Sequence, residues 1–294
     1  MFPKFAWSGL QHDANFGNGA LVTTTLRDFK GTLVLVGAGK MGAAMLEGWL
    51  ARGIDPARVV VLEPQPSTHV ARYAAQGLRL NPAPAGLHAD VMVVAVKPQS
   101  APEVMPQLAS LAGPSSLVLS IMAGRTLAFL QGALPARTAI VRSMPNTPAA
   151  IGRGITVAVP NAAVTAAQRQ IATDLLAAIG AVEWVADEAL MDAVTAVSGS
   201  GPAYVFLLAE SLARAGVAAG LPRELAEKLA RDTVAGAGEL LHRSSEDAAT
   251  LRKNVTSPGG TTAAALEVLM AADGIDPVMK KAIAAATKRS KELG

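Results

Sequence analysis

Apolar residues follow two successive regimes along this chain. Between residues 31 and 185, short apolar runs at 33–36, 59–62, 91–96, 117–121 and 139–141 alternate with longer mixed stretches, and residues 182–185 can close the sheet's edge. Runs of this length without polar alternation read as strands buried on both faces, and the stretches between them as the covering helices. Met41, Met45 and Trp49 recur at i, i+4 and i+8 and mark one such helix. A second opens on the capping-box spacing of Thr165 and Gln168, carries Ile171, Leu175 and Ile179 on one face, and ends at Gly180.

From Asp187 onward the strand signal disappears and helix follows helix. Residues 203–221 are polar only at Tyr204, Glu210, Ser211 and Arg214, so nearly every face of this helix is apolar and must be covered. One small helical domain offers too little surface for that, and a second copy of the chain is expected to cover it, giving a dimer through the C-terminal helices. The alternative is an internal helix of a monomer. Pro222 is read as the first residue of the next helix, which carries Leu225, Leu229, Thr233, Gly236 and Leu240. At the other end, residues 1–27 show no period and are expected to form a disordered tail, with the natural start near Val22. The expected fold is α/β: a Rossmann-type, doubly wound parallel sheet over residues 28–186, then an all-α dimerisation and substrate domain over 187–294.

The 294 residues are 51% hydrophobic, enough for two ordinary domains. Net charge is +3 with the basic residues dispersed, which argues against a nucleic-acid partner. The absence of cysteine excludes disulfides and thiolate chemistry and accords with a cytoplasmic location. His12, His69, His88 and His242 lack metal-ligand spacing, so no metal is expected. No apolar run approaches the roughly 18 residues that would cross a bilayer.

Chemistry concentrates in two stretches. In residues 31–42 an apolar strand runs directly into Gly37, Gly39 and Gly42, spaced G-x-G-x-x-G. Gly37 suits the positive φ of a tight turn, Gly39 admits close approach of a pyrophosphate, Gly42 permits close strand–helix packing, and the helix start offers N–H groups to phosphate. Such spacing also occurs in plain glycine-rich turns, but the buried strand before it and the one-faced helix after it favour a dinucleotide. The second stretch is Val255-Thr-Ser-Pro-Gly-Gly-Thr-Thr262, where Pro258, Gly259 and Gly260 expose backbone N–H groups and Thr261 and Thr262 open a helix. That arrangement suits a carboxylate or phosphate; the competing reading is an ordinary interhelical loop.

VGAGKMG at 36–42, AVKP at 95–98, RSMPNTP at 142–148, DAVTAVSGSGPAY at 192–204 and VTSPGGTT at 255–262 occur in this order and resemble pyrroline-5-carboxylate reductase over about residues 30–290. The resemblance implies reduction of Δ1-pyrroline-5-carboxylate to L-proline by NADPH or NADH, the last step of proline biosynthesis, in dimers that assemble further. It implies that Val36, Gly37, Ala38, Gly39, Lys40 and Met41 meet the pyrophosphate. Ala95, Val96, Lys97 and Pro98 line the ribose and adenine side, Ala123 and Asn146 stand near the nicotinamide, and Asn254 is a further cofactor contact. Glu188, Gly259, Gly260, Thr261 and Thr262 match substrate positions, with the Thr262 hydroxyl as the catalytic partner of the ring nitrogen. Lys97 also reads as a plain surface lysine and Arg142 as a structural ion-pair partner.

Two positions depart from the family's usual pattern. Glu63 ends the second strand where a small hydroxyl residue is common, and Pro84 stands where an asparagine can meet the adenosine phosphate. A carboxylate at residue 63 accepts hydrogen bonds from both ribose hydroxyls and repels a 2′-phosphate, so the chain leans toward NADH, with Arg72 as the neighbouring charge that could compensate. No general acid stands in the motifs, so the imine is expected to arrive protonated or to draw its proton from water. Two other readings compete with this one. A related imine or β-hydroxyacid reductase of the same plan is disfavoured, because hydroxyacid reductases need a catalytic lysine and Lys228 lies in the wrong motif. A non-catalytic nucleotide-sensing subunit has no reason to carry SPGGTT.

Overall fold

The computed structural model describes residues 26–293. Eight strands form one sheet: β1 (Leu33–Val36), β2 (Val59–Leu62), β3 (Arg79–Leu80), β4 (Ala89–Val94), β5 (Ala112–Ser120), β6 (Ala139–Met144), β7 (Gly154–Pro160) and β8 (Gly180–Trp184). Their spatial order is β3-β2-β1-β4-β5-β6-β7-β8. Every neighbouring pair is parallel except β6 and β7. Only a 3-10 turn, Thr147–Ile151, separates those two, and a parallel return needs a crossover of a dozen residues or more. β7 does not figure among the strands expected from the apolar runs, and neither does the two-residue β3.

Both faces of the sheet are covered. β1 sends Leu33 and Leu35 to one side, where they meet Met45 and Trp49 of α1 (Lys40–Ala51) and Leu175 of α5 (Ala166–Ala177). Val34 and Val36 go to the other side, with Met105 of α3 (Ala101–Leu108) and Leu130 of α4 (Leu127–Ala133). This double cover is why β1 reads as an uninterrupted apolar run. α5 opens on the expected capping box of Thr165 and Gln168. The strand order reverses direction between β1 and β4, and the crevice beyond their carboxyl ends is where open α/β sheets take ligands.

The tail expected over residues 1–27 and the start near Val22 fall largely outside the described residues. Leu26, assigned to that tail, is part of the fold: its side chain is buried and its N–H donates to the Arg52 carbonyl at 3.1 Å. The short helix α2 (Thr68–Ala71) follows β2.

After β8 only helices remain: α6 (Met191–Val194), a π-helical turn (Thr195–Gly199), α7 (Gly201–Ala218), α8 (Arg223–Arg243), α9 (Ala248–Asn254), α10 (Thr261–Leu269) and α11 (Ile275–Leu293). α7 and α8 pack as a hairpin, with Pro222 as the N-cap of α8 rather than its first residue. α11 returns to α6 and the π-helical turn, where Ser290 Oγ donates to Asp192 Oδ1 at 2.6 Å. α7 is not an internal helix: Phe206 is 63% exposed, and Val205, Leu207 and Leu208 are exposed beside it. Among the described residues, no helix is long and apolar enough to cross a membrane.

Candidate functional site

The glycine loop sits at the switch point. Gly37 has φ +89°, and a Cβ there would stand 2.8 Å from the Ala95 carbonyl oxygen at the end of β4. A Cβ on Gly42 would stand 2.2 Å from the Gly37 carbonyl oxygen, so strand and helix meet at backbone distance. Gly39 is the open position: it is exposed, and a Cβ there would meet nothing within 4 Å. The loop therefore leaves room at Gly39 for a large group, and Lys40 and Met41 follow as the first turn of α1, with unpaired N–H groups. This geometry fits a dinucleotide pyrophosphate.

Glu63 stands beside this loop. Its Oε2 accepts the Ala38 N–H at 2.8 Å and its Oε1 the Gln65 N–H at 3.0 Å. The Ala38 N–H is thus taken by the carboxylate, whereas the N–H groups of the first turn of α1 after it are not. The residue bonded to Glu63 from the β3 side is Asn81, whose side chain exchanges two hydrogen bonds with the Glu63 backbone at 2.8 and 2.9 Å. Pro84, at the departure from the family pattern, is exposed, and the side chain that meets residue 63 is Asn81, which no sequence motif marks. Its signal was only a polar residue directly after two strand-like residues. Arg72 lies back over the Tyr73 ring, 5.1 Å from its centroid.

The β4 and β5 ends form the opposite wall. Ala95 N–H donates to the Val36 carbonyl at 2.7 Å, tying this wall to β1. Val96 is half-buried, Lys97 is exposed, and Arg125 fixes the segment by donating twice to the Pro98 carbonyl, at 2.8 and 3.0 Å. Ala123 is half-buried, and the next residue, Gly124, lies against the end of α11. The Asn146 Oδ1 accepts the Ile155 N–H at 3.0 Å, which holds the β6–β7 connection in place.

Glu188 is anchored. One of its oxygens accepts both the Arg142 Nη1–H and the Leu127 N–H, each at 2.7 Å. The Arg142 side chain is 6% exposed and that of Glu188 29%, so a nearly buried cation depends on this one carboxylate. Arg142 is therefore the ion-pair partner that one reading of the sequence made it.

The second chemical stretch lies in the helical half. Ser257, Pro258, Gly259 and Gly260 make a turn with Gly259 at φ +69°, closed by the Gly260 N–H donating to the Ser257 carbonyl at 3.0 Å. That bond removes Gly260 from the expected anion donors, because its N–H closes the turn. The first-turn N–H groups of α10, on Thr261, Thr262 and Ala263, have no acceptor within the helix. Thr262 is half-buried. The Asn254 Nδ2–H donates to Glu246 Oε2 at 3.0 Å, and not to the glycine loop. Among the described residues, no hydrogen bond or extensive packing contact joins α9 or α10 to the strand ends.

A groove of about 410 Å³ runs along α7 and α8, lined by Glu210, Arg214, Arg223 and Glu227 with Ala213 and Val217. Its charges pair within each helix, at (i, i+4), and it belongs to the exposed face of the hairpin rather than to the strand ends. No group of three or more His, Asp or Glu among the described residues could hold a metal ion.

Comparison with known proteins converges with this geometry. Residues 188–293 match the family model described as pyrroline-5-carboxylate reductase dimerisation, and residues 32–124 match one described as NADP oxidoreductase, coenzyme F420-dependent. The pyrroline-5-carboxylate reductase of Pseudomonas aeruginosa is 41% identical over 264 residues, covering 89% of this chain and 96% of that protein. The solved pyrroline-5-carboxylate reductase of Coxiella burnetii superposes with TM-score 0.82 at 34% identity, covering 90% of this chain and 98% of that one. That of Plasmodium falciparum, solved with NADP bound, gives TM-score 0.76 at 31% identity over 90% and 98%. With a glycine loop at the switch point and a helical half that matches the dimerisation model, this chain belongs to the pyrroline-5-carboxylate reductases, homo-oligomeric oxidoreductases that reduce the cyclic imine to proline with a nicotinamide cofactor.

Proposed function

We propose that the enzyme works as a dimer joined through its C-terminal helices, assembling further, that the α10 N-terminus of one protomer completes the site at its partner's strand ends, and that NADH is the preferred cofactor. The observation that carries the first part is the separation within one chain: Thr261 and Thr262 stand on a helix with no extensive contact to the domain that carries Gly37 to Met41. The exposed apolar side chains of α7 supply the surface for the second copy. A cytoplasmic location accompanies this reading, since a chain without cysteine needs no oxidising compartment.

A reduced nicotinamide supplies the hydride. The N–H groups of Gly39, Lys40 and Met41 take the pyrophosphate, Glu63 accepts the adenosine-ribose hydroxyls, Ala95 to Pro98 line that side, and Ala123 and Asn146 flank the nicotinamide end. From the helical half, Gly259 and the first turn of α10 orient the substrate carboxylate, the Thr262 hydroxyl holds the ring nitrogen, and Asn254 reaches toward the cofactor. Glu188 acts through Arg142 and Leu127, fixing the wall behind the site. The ring nitrogen enters protonated or takes its proton from water, so the chain's contribution is placement and fixed dipoles rather than proton transfer.

Coexpression of two impaired variants tests the shared site. Gly39→Asp opposes the pyrophosphate and Thr262→Ala removes the nitrogen's partner. With a shared site, half the dimers are mixed and each has one intact site, restoring about a quarter of wild-type activity. Absence of restoration would return the whole site to a single chain.

A further inference from the structure

Glu63 follows the last residue of β2, and its own N–H and C=O lie beyond the strand ladder that ends at Leu62. Both groups are taken by one side chain. Asn81 Oδ1 accepts the Glu63 N–H at 2.9 Å, and Asn81 Nδ2–H donates to the Glu63 carbonyl at 2.8 Å. Its own N–H donates to the Val61 carbonyl at 2.8 Å, continuing the β2–β3 register by one residue. To turn its side chain onto Glu63, Asn81 takes φ +47°, a left-handed conformation that asparagine reaches more readily than other side chains. A carboxamide carries a donor and an acceptor in one plane, as a peptide group does, and the short asparagine stem places both at ladder distance.

The consequence falls on the acid. A glutamate after a strand end is free to swing, whereas here its backbone is pinned on one side and its carboxylate meets the Ala38 N–H of the glycine loop on the other. We propose that Asn81 is a positioning residue for cofactor choice: it fixes the direction of the Glu63 carboxylate and so makes the site selective for an unphosphorylated adenosine ribose. The proposal rests on the reading that Glu63 accepts the ribose hydroxyls, and the experiment separates the two.

Equilibrium binding of NADH and of NADPH to the full-length protein, followed by calorimetry, is measured for the wild type, Asn81→Gly, Glu63→Ala and the double variant. Glycine keeps the left-handed conformation while removing both hydrogen bonds. Asn81→Gly is expected to weaken NADH about five- to ten-fold, the loss that one net hydrogen bond represents, and to leave NADPH within about two-fold. In the Glu63→Ala background the same substitution is expected to change nothing. Equal weakening of both cofactors, or full additivity in the double variant, overturns the positioning role while leaving the Glu63 reading in place. An unchanged NADH affinity in Glu63→Ala removes that reading and this proposal with it. Should Asn81→Gly fail to fold, Asn81→Ser, too short to bridge both backbone groups, carries the same comparison.

Discussion

The Arg142 guanidinium and the Glu188 carboxylate meet at 2.7 Å across the junction between the end of β6 and the first residues of the helical half. The same carboxylate oxygen accepts the Leu127 N–H at the start of α4, so one atom holds three chain segments together.

The two ends of this pair are unequally buried, which sets an order on their variants. Glu188→Gln leaves a nearly buried guanidinium without its counter-charge and is expected to cost about 3 kcal/mol, whereas Arg142→Met leaves a carboxylate that water reaches and costs about 1 kcal/mol. Urea denaturation at one fixed protein concentration measures both. Equal losses, or the reverse order, would contradict the burial argument.

Gly39 and Gly42 should separate binding from folding. Gly42→Ala forces a methyl to 2.2 Å from the Gly37 carbonyl oxygen and is expected to lower the melting temperature by several degrees, in line with a loss of about 1–3 kcal/mol from overpacking. Gly39→Ala meets no protein atom within 4 Å, so it should melt as the wild type does and bind dinucleotide more weakly. Thermal denaturation with calorimetric titration distinguishes the two, and a Gly39→Ala protein with unchanged affinity would remove the pyrophosphate from that spot.

Glu63→Ser tests the lean toward NADH. A carboxylate about 4 Å from a phosphate charge costs on the order of 4 kcal/mol at an effective dielectric near 20, and screening reduces that to an observable shift of roughly 1–2 kcal/mol. The ratio of kcat/KM for NADPH over NADH is therefore expected to rise about ten- to thirty-fold. A wild type that already prefers NADPH, with no change in the variant, would mean that Glu63 does not face the ribose.

Phe206→Glu places a charge in the exposed apolar face of α7 and is expected to shift the protein toward a monomer of low activity. Sedimentation velocity reads the first effect and a turnover assay the second. A variant that sediments with the wild type would put the interface elsewhere.

Much of this was legible in the residues. β1 announces itself because both faces are covered, and the capping box of α5 because two side chains answer each other locally. β7 escaped because Ile155, Val157 and Val159 alternate with Thr156 and Ala158, and nothing in such a segment says that it turns back on β6 until the nine residues between them are seen to be too few for a crossover. The glycine fingerprint placed the loop, but the pairing of Asn81 with Glu63 joins residues eighteen apart through a two-residue strand, a register that no local pattern encodes. Likewise the loss of the Gly260 donor follows from a turn closing on itself, and sequence spacing is blind to closure.

The two edges of the sheet have a bearing on how copies of this protein meet. β3 is two residues long and is followed by Pro82 and Pro84, while β8 carries Glu183 and a Trp184 ring covered by the Arg169 guanidinium at 4.5 Å. Neither edge offers a long, bare row of backbone groups to a second sheet, which is how proteins avoid strand-to-strand aggregation. Strand pairing between nucleotide domains thus has little to start from, while the exposed apolar side chains of α7 are a larger surface on which two copies could meet.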